Sequence, residues 1–274
     1  MNALNKLLTK NNENKFVCVG LDTDIKKIPR HLFHSENPVI EFNKKIIKAT
    51  KENVAAYKIN FAFYEKDGLK GIENLTKTIS FIPEDILIIA DAKRGDIGNT
   101  SKMYAQSVFD YFKCDAITLN PLMGKDSVEP FLEYHNKLNF ILALTSNPGS
   151  ADFEKLKLED GEFVYQKIID EVNKWNVHSN CGIVFGATNT AELGKNMERI
   201  NSLPVLLPGI GAQGGSLEDV IKTFKKFKRR NFLINVSRGI IYKSEGVDFA
   251  EAAHIELNNL NNQIDIYLND SPAD

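Results

Sequence analysis

The feature that most limits what this chain can fold into is an eightfold alternation of short apolar runs with longer amphipathic stretches. The runs read as strands over Phe16–Asp22, Ala55–Phe61, Asp85–Lys93, Ala116–Pro121, Phe140–Ser146, Cys181–Ala187, Val205–Ile210 and Asn231–Ser237, beginning 24 to 41 residues apart. That spacing is the length of a strand, a helix and their loops. Helical periodicity follows each run, over Glu41–Lys51, Tyr64–Phe81, Gly98–Phe112, Lys125–Tyr134, Phe163–Trp175, Asn189–Ile200, Ser216–Lys228 and Val247–Leu260. Strands apolar on both faces belong in a parallel sheet covered by helices. Eight such units predict one α/β domain over residues 1–274, a single (β/α)8 TIM barrel; periodicity alone leaves an open doubly wound sheet as the alternative. Residues 1–15 read as a lead-in helix. Polar sequence sets in from Leu257, and 261–274 reads as a C-terminal tail that frays.

Composition narrows the class. Lys and Arg (34) nearly balance Asp and Glu (36), for a net charge of −2, which gives no general pull toward nucleic acid or anionic lipid. No apolar stretch approaches the ~18 residues of a membrane span, and Met1–Lys15 lacks the apolar core of a secretory signal, so a cytoplasmic protein is expected. The three cysteines, Cys18, Cys114 and Cys181, are widely spaced and read as buried thiols. The five histidines form no metal-ligand spacing with them or with carboxylates, so no metal site is expected. Lys222–Arg230 holds six Lys or Arg in nine residues at a helix end, where cations complement the macrodipole; a solvated face is the reading, rather than a nucleic-acid patch.

In a barrel of this kind the active site lies at the carboxyl ends of the strands. Polar residues gather at those ends: Asp22 on the first, Lys58 and Asn60 on the second, Asp91 and Lys93 on the third. Alternation along a strand sends Asp91 and Lys93 to one side. Acids and lysines interleaved at adjacent ends keep each other ionised. The seventh and eighth ends look built for phosphate. Pro208-Gly209-Ile210-Gly211-Ala212-Gln213-Gly214-Gly215 opens the helix at Ser216, and Arg238 follows the next strand. Gly209, Gly211 and Gly214 also fit the dinucleotide fingerprint, but no ribose-binding acid ends the following strand, so that match is set aside.

These residues resemble a known family. Asp91-Ala92-Lys93-Arg94-Gly95-Asp96-Ile97-Gly98-Asn99-Thr100 is similar to the D-x-K-x-x-D-I-x-x-T signature of the orotidine 5′-phosphate decarboxylases, in the wording of their longer bacterial branch. Gly20-Leu21-Asp22, Tyr57-Lys58, Ser146-Asn147-Pro148-Gly149, Pro208 to Gln213 and Ser237-Arg238-Gly239 match the other blocks in order, over about residues 16–242. The resemblance implies a homodimeric barrel that makes UMP from orotidylate without metal or cofactor. By position, Lys93 would protonate C6 as CO2 departs and Asp91 would sit beside the substrate carboxylate. Asp96, Ile97 and Thr100 would reach into the partner's site. Lys58 and Asp22 would hold the ribose hydroxyls and complete the charged network, with Asn60 a second candidate for the same contact; Ser146 would contact the pyrimidine; Pro208 would line the pocket; Gln213 and Arg238 would grip the phosphate. One position departs: many members carry Gly where this chain has Ser237. Two other readings are a magnesium-dependent sugar-phosphate decarboxylase or aldolase of the same barrel group, and a nucleotide-binding protein without activity.

Overall fold

The computed structural model describes residues 1–211 and 214–269. Eight parallel strands close into a barrel in sequence order: β1 (Val17–Gly20), β2 (Ala56–Asn60), β3 (Leu87–Arg94), β4 (Ala116–Leu119), β5 (Leu138–Leu144), β6 (Cys181–Phe185), β7 (Val205–Pro208) and β8 (Phe232–Val236). β8 pairs back onto β1, with Val17 opposite Ile234, so no edge strand is left unpaired among the described residues. The helices are α1 (Ala3–Asn12), α2 (Pro38–Thr50), α3 (Ala62–Glu65), α4 (Gly68–Ile79), α5 (Gly98–Gln106), α6 (Lys125–Leu132), α7 (Val164–Trp175), α8 (Thr190–Ile200), α9 (Leu217–Lys226), α10 (Arg238–Ile241) and α11 (Phe249–Asn269). Each expected strand has its counterpart, and the barrel replaces the open-sheet alternative.

The continuous apolar runs are explained by two separate cores. Alternate residues (Cys18, Ala56, Leu87, Ile89, Ala116, Phe140, Leu206 and Leu233) fill the barrel interior, while their neighbours, such as Val17, Tyr57, Ile88 and Ile117, pack outward against the helices. Helix α1 belongs to the inner core. Its Ala3 and Leu7 plug the amino-terminal end, and Lys6 and Lys10 pair there with Asp115 (2.8 Å) and Asp85 (2.7 Å) just before β4 and β3. With that end closed, the carboxyl end is the open mouth.

Two expectations change. The helix expected over Tyr64–Phe81 breaks into α3 and α4, because Gly68 takes a left-handed φ of +59°. The break brings Gly71 onto the Tyr64 carbonyl, where a Cβ would lie 1.8 Å from the oxygen. The last helix does not fray after Leu257: α11 runs on to Asn269, since Leu257 and Ile264 are buried and Lys225 Nζ donates to the Tyr267 carbonyl (3.3 Å). The polar tail expected over 261–274 is therefore helical as far as the described residues go. The three cysteines are buried free thiols, each pushed up to about 12 by burial, as expected of packing residues. The basic run at the end of α9 is largely used internally: Lys222 pairs with Glu218 (2.5 Å), and Arg229 donates to the Leu203 (2.6 Å) and Met197 (3.3 Å) carbonyls. No helix among the described residues is long and apolar enough to cross a membrane.

Phe140 is fully buried inside the barrel, against Gly182 of β6. Truncation by Phe140→Ala should cost about 3–5 kcal/mol of stability, read as a lowered urea midpoint, without displacing the strand ends.

Candidate active site

The interior periodicity carries charge to the mouth. Ala56 and Ile89 face inward, so Lys58 and Asp91, two residues further along β2 and β3, face inward one layer higher. Asp91 sits at the centre of the cluster. Its Oδ2 accepts from Lys58 Nζ (2.6 Å), and its Oδ1 accepts from Lys93 Nζ (2.5 Å) and Thr118 Oγ1 (3.0 Å). Asp22, beyond the end of β1, stands 3.9 Å from Lys58 Nζ on the other side. Lys58 and Asp91 are buried, whereas the Lys93 side chain is 51% exposed and presents its ammonium to the mouth.

Burial alone would make both buried groups neutral. For Asp91, desolvation is overcome by the Lys58 and Lys93 charges, which hold its carboxyl well below the usual range. For Lys58, desolvation is likewise overcome by Asp91 and Asp22, which hold its ammonium above the usual lysine range. The ions keep each other charged. Asp91's depressed pKa contributes stability above about pH 3.9, lost as pH falls; Lys58's raised pKa contributes below about pH 10.4, lost as pH rises.

The alternation expected for Asp91 and Lys93 is not regular. β3 bulges against β4 between Ala90 and Arg94, and Lys93 has a φ of +45°, in the left-handed region that a lysine rarely occupies. Thr118 holds the kink: the same hydroxyl that donates to Asp91 accepts from Lys93 N (3.0 Å). Strain of this kind fixes a side chain where regular strand would not put it.

At the opposite side of the mouth, Asp22, Pro208, Ile210, Asn235, Ser237 and Arg238 line a cavity of about 250 Å³. Left-handed Gly209 (φ 102°), Gly211 (φ 71°) and Gly214 (φ 86°) turn the backbone after β7, and Ser216 caps α9 by accepting from Asp219 N (3.2 Å). Arg238 is exposed at the start of α10. Ser237 ties the cavity to the cluster: its Oγ donates to Asp22 Oδ2 (2.7 Å). Gly20 makes room for it, since a Cβ there would lie 1.7 Å from Ser237 Oγ.

The structure thus brings Asp22, Lys58, Asp91 and Lys93 into one cluster, with Pro208 and Arg238 around the adjoining cavity. Asn60 stands at the end of β2, its Oδ1 accepting from Ala62 N (3.1 Å). Asp96 joins no ion pair among the described residues; its Oδ1 accepts from Ile97 N (2.8 Å). Ile97 and Thr100 are exposed on the outer surface at the start of α5. Ser146 is half-buried after β5, where Gly186 packs against its backbone. Gln213 lies outside the described residues. Thr118, which joins Asp91 to Lys93, is missing from the residues picked out by sequence; its signal is a lone hydroxyl two residues after inward-facing Ala116. No three His, Cys, Asp or Glu side chains among the described residues converge as a metal site requires.

This is a (β/α)8 barrel with a lysine–aspartate cluster and a glycine-turned cavity at the carboxyl ends of its strands. Residues 15–253 match the sequence model of the Orotidine 5'-phosphate decarboxylase / HUMPS family, and the chain belongs to that family. It is 46% identical over 259 residues to orotidine 5'-phosphate decarboxylase of Porphyromonas gingivalis, covering 93% of this chain and 94% of that one. Against the enzyme of the same name from Christiangramia forsetii it is 48% identical over 255 residues, covering 92% and 93%. Among solved structures it resembles Leishmania donovani OMP decarboxylase (TM-score 0.80, 34% identity, 95% and 99% covered). It also resembles L. donovani UMP synthase (TM-score 0.85, 36% identity), covering 98% of this chain and 57% of that longer one.

Removing one partner of a buried pair leaves an uncompensated charge. Asp91→Asn should therefore destabilise the fold by about 3–5 kcal/mol at pH 7, and adding Lys58→Met should recover much of it. Urea unfolding of the two variants checks this.

Proposed function

We propose that this chain decarboxylates orotidine 5′-phosphate to UMP and CO2, the last step of UMP synthesis, with Lys93 as the acid and without metal or cofactor. The observation that carries the reading is the Lys58–Asp91–Lys93 cluster: a half-exposed ammonium held by hydrogen bonds, across the mouth from a cavity that can take a phosphorylated ligand. The names of the relatives support the reaction, and the resemblance of residues 91–100 to the family signature supports the roles.

The chemistry suits these groups. When the bond from C6 to the carboxylate carbon breaks, its electron pair stays on C6, in the ring plane and out of reach of π delocalisation. A fixed cation is then the available stabiliser, and the Lys93 ammonium both opposes the developing charge and donates a proton to C6. Solvent at the mouth returns a proton to the amine. Asp91 keeps Lys93 charged and in place, and its own negative charge lies beside the carboxylate that leaves. Both Asp91 oxygens already face an ammonium, so the cluster is balanced without a divalent ion. Lys58 and Asp22 would hold the ribose hydroxyls, Asn60 would support them, and Ser146 would meet the pyrimidine. Pro208, Gln213 and Arg238 would enclose the phosphate, whose binding energy, far from the reacting bond, is available to the transition state.

Asp96, Ile97 and Thr100 fit a homodimer in which each subunit completes its partner's site. Ile97 (54%), Met103 (54%), Leu122 (63%) and Met123 (49%) are large apolar side chains exposed near the start of α5 and in the loop after β4. A cytoplasmic location and a small-molecule substrate, rather than nucleic acid or membrane, accompany the reading.

Lys93→Ala should lower turnover of orotidylate by about a thousandfold or more while the fold persists; retained activity would remove Lys93 as the acid. Mixing Lys93→Ala with Asp96→Asn should restore activity that neither variant shows alone, because a mixed dimer holds one site with both wild-type groups. Mixtures no more active than their components would contradict the shared site.

A further inference from the structure

Where the β5 ladder stops, side chains hold both main-chain groups of the next residue. The Leu144 carbonyl accepts from Gly186 N (2.7 Å) as the ladder ends. Beyond it, Thr145 N donates to Glu154 Oε2 (2.6 Å), and the Thr145 carbonyl accepts from Asn189 Nδ2 (3.0 Å). Glu154 comes from the loop after β5 and Asn189 from the loop after β6. Lys155 joins the two loops: its Nζ donates to Asn189 Oδ1 (2.8 Å) and pairs with Glu192 (3.1 Å). The Thr145 hydroxyl lies 3.0 Å from both Glu154 oxygens and 2.7 Å from Asn147 Oδ1, and its one hydrogen serves one of them.

A carboxylate is a demanding group for this place. Burial pushes the Glu154 carboxyl above its ordinary range, and the Thr145 donors and the Lys155 charge oppose that rise. In return, a charge-assisted bond is shorter and stronger than a neutral one. The main chain of Glu154 is anchored too, its carbonyl accepting from Tyr165 N (2.9 Å) in the first turn of α7. From the β6 side, Gly186 lies so close that a Cβ there would be 2.7 Å from Ser146 N and Cα. Chain that has left a strand is ordinarily the more mobile part of a fold. Here it is tied at the residue next to Ser146, the one aligned with the pyrimidine.

We propose that Glu154 and Asn189 are positioning residues for base recognition, holding the Thr145 main chain so that Ser146 meets the pyrimidine at a fixed place. This rests on the decarboxylase reading above. The two side chains act through Thr145 and need no contact with the ligand. A recognition group displaced by about 1 Å loses the geometry its hydrogen bond requires. The other contacts of that reading come from elsewhere on the rim: Asp22 after β1, Lys58 on β2 and Arg238 after β8. Loosening the end of β5 therefore acts on the base and leaves ribose and phosphate held. That selectivity separates positioning from a general contribution to stability.

Inhibition of orotidylate turnover by UMP and by ribose 5-phosphate, which lacks the base, tests this on the wild-type protein and on Glu154→Ala, Glu154→Gln and Asn189→Ala. In both alanine variants UMP should bind about fivefold more weakly and ribose 5-phosphate as in wild type, with KM for orotidylate raised more than kcat is lowered. Glu154→Gln keeps an acceptor for Thr145 N and should restore UMP binding to within about twofold of wild type. On a Ser146→Ala background, Glu154→Ala should cost little more, because the contact it positions is already gone. Equal weakening of both ligands, unchanged UMP binding, a glutamine variant as weak as alanine, or a full further loss on Ser146→Ala would overturn the assignment. Asn189→Ala decides alone where Glu154→Ala does not fold. Failure of the wild-type protein to consume orotidylate would overturn the decarboxylase reading itself, and this inference with it.

Discussion

The structure turns on one carboxylate. Asp91 is buried in the mouth of the barrel, where an isolated charge would cost several kcal/mol, and it persists because Lys58 and Lys93 each take one of its oxygens. That arrangement determines the rest of the site. Lys58 is buried, Asp22 lies 3.9 Å from its Nζ, and Lys93 is the member of the cluster left half-exposed. The bulge in β3 and the left-handed backbone at Lys93 are what allow this third residue to meet Asp91 while its side chain stays half-exposed at the mouth.

The remainder of the fold serves that geometry. Helix α1 plugs the amino-terminal end, which leaves the carboxyl end as the open mouth. Parallel strands bring residues distant in sequence to one rim: Asp22, Lys58, Asp91, Thr118 and Ser237 come from five different strand ends. The glycine turns after β7 lie beside the cavity, opposite the lysine–aspartate cluster. In the proposed reading, phosphate would bind at one side and the bond would break at the other, so that binding energy could be used in the transition state.

Much of this was legible in the sequence because a barrel imposes a simple rule. Once eight apolar runs are placed, the polar residues at their carboxyl ends are the candidates, and Asp22, Lys58, Asp91 and Lys93 follow. The rule works less well where backbone departs from regular strand. Thr118 looks like any β-branched strand residue until its hydroxyl is seen between Asp91 and Lys93. Ser237 reads as a departure from the resembled pattern, yet Gly20 opposite it supplies the space its hydroxyl needs. Both facts concern pairs of residues more than 200 positions or one strand apart, which no local pattern records. Gly68 and the buried Ile264 mislead for the opposite reason: a left-handed glycine and a single apolar contact decide where helices stop, and periodicity averages over both.

The central claim is that balanced protein charges alone, with Lys93 facing the substrate, carry out the decarboxylation. The most direct measurement is the loss of orotidylate absorbance with purified protein in excess chelator, compared with added magnesium. The account predicts the same rate of UMP formation in both. Loss of turnover in chelator, restored by magnesium, would contradict it.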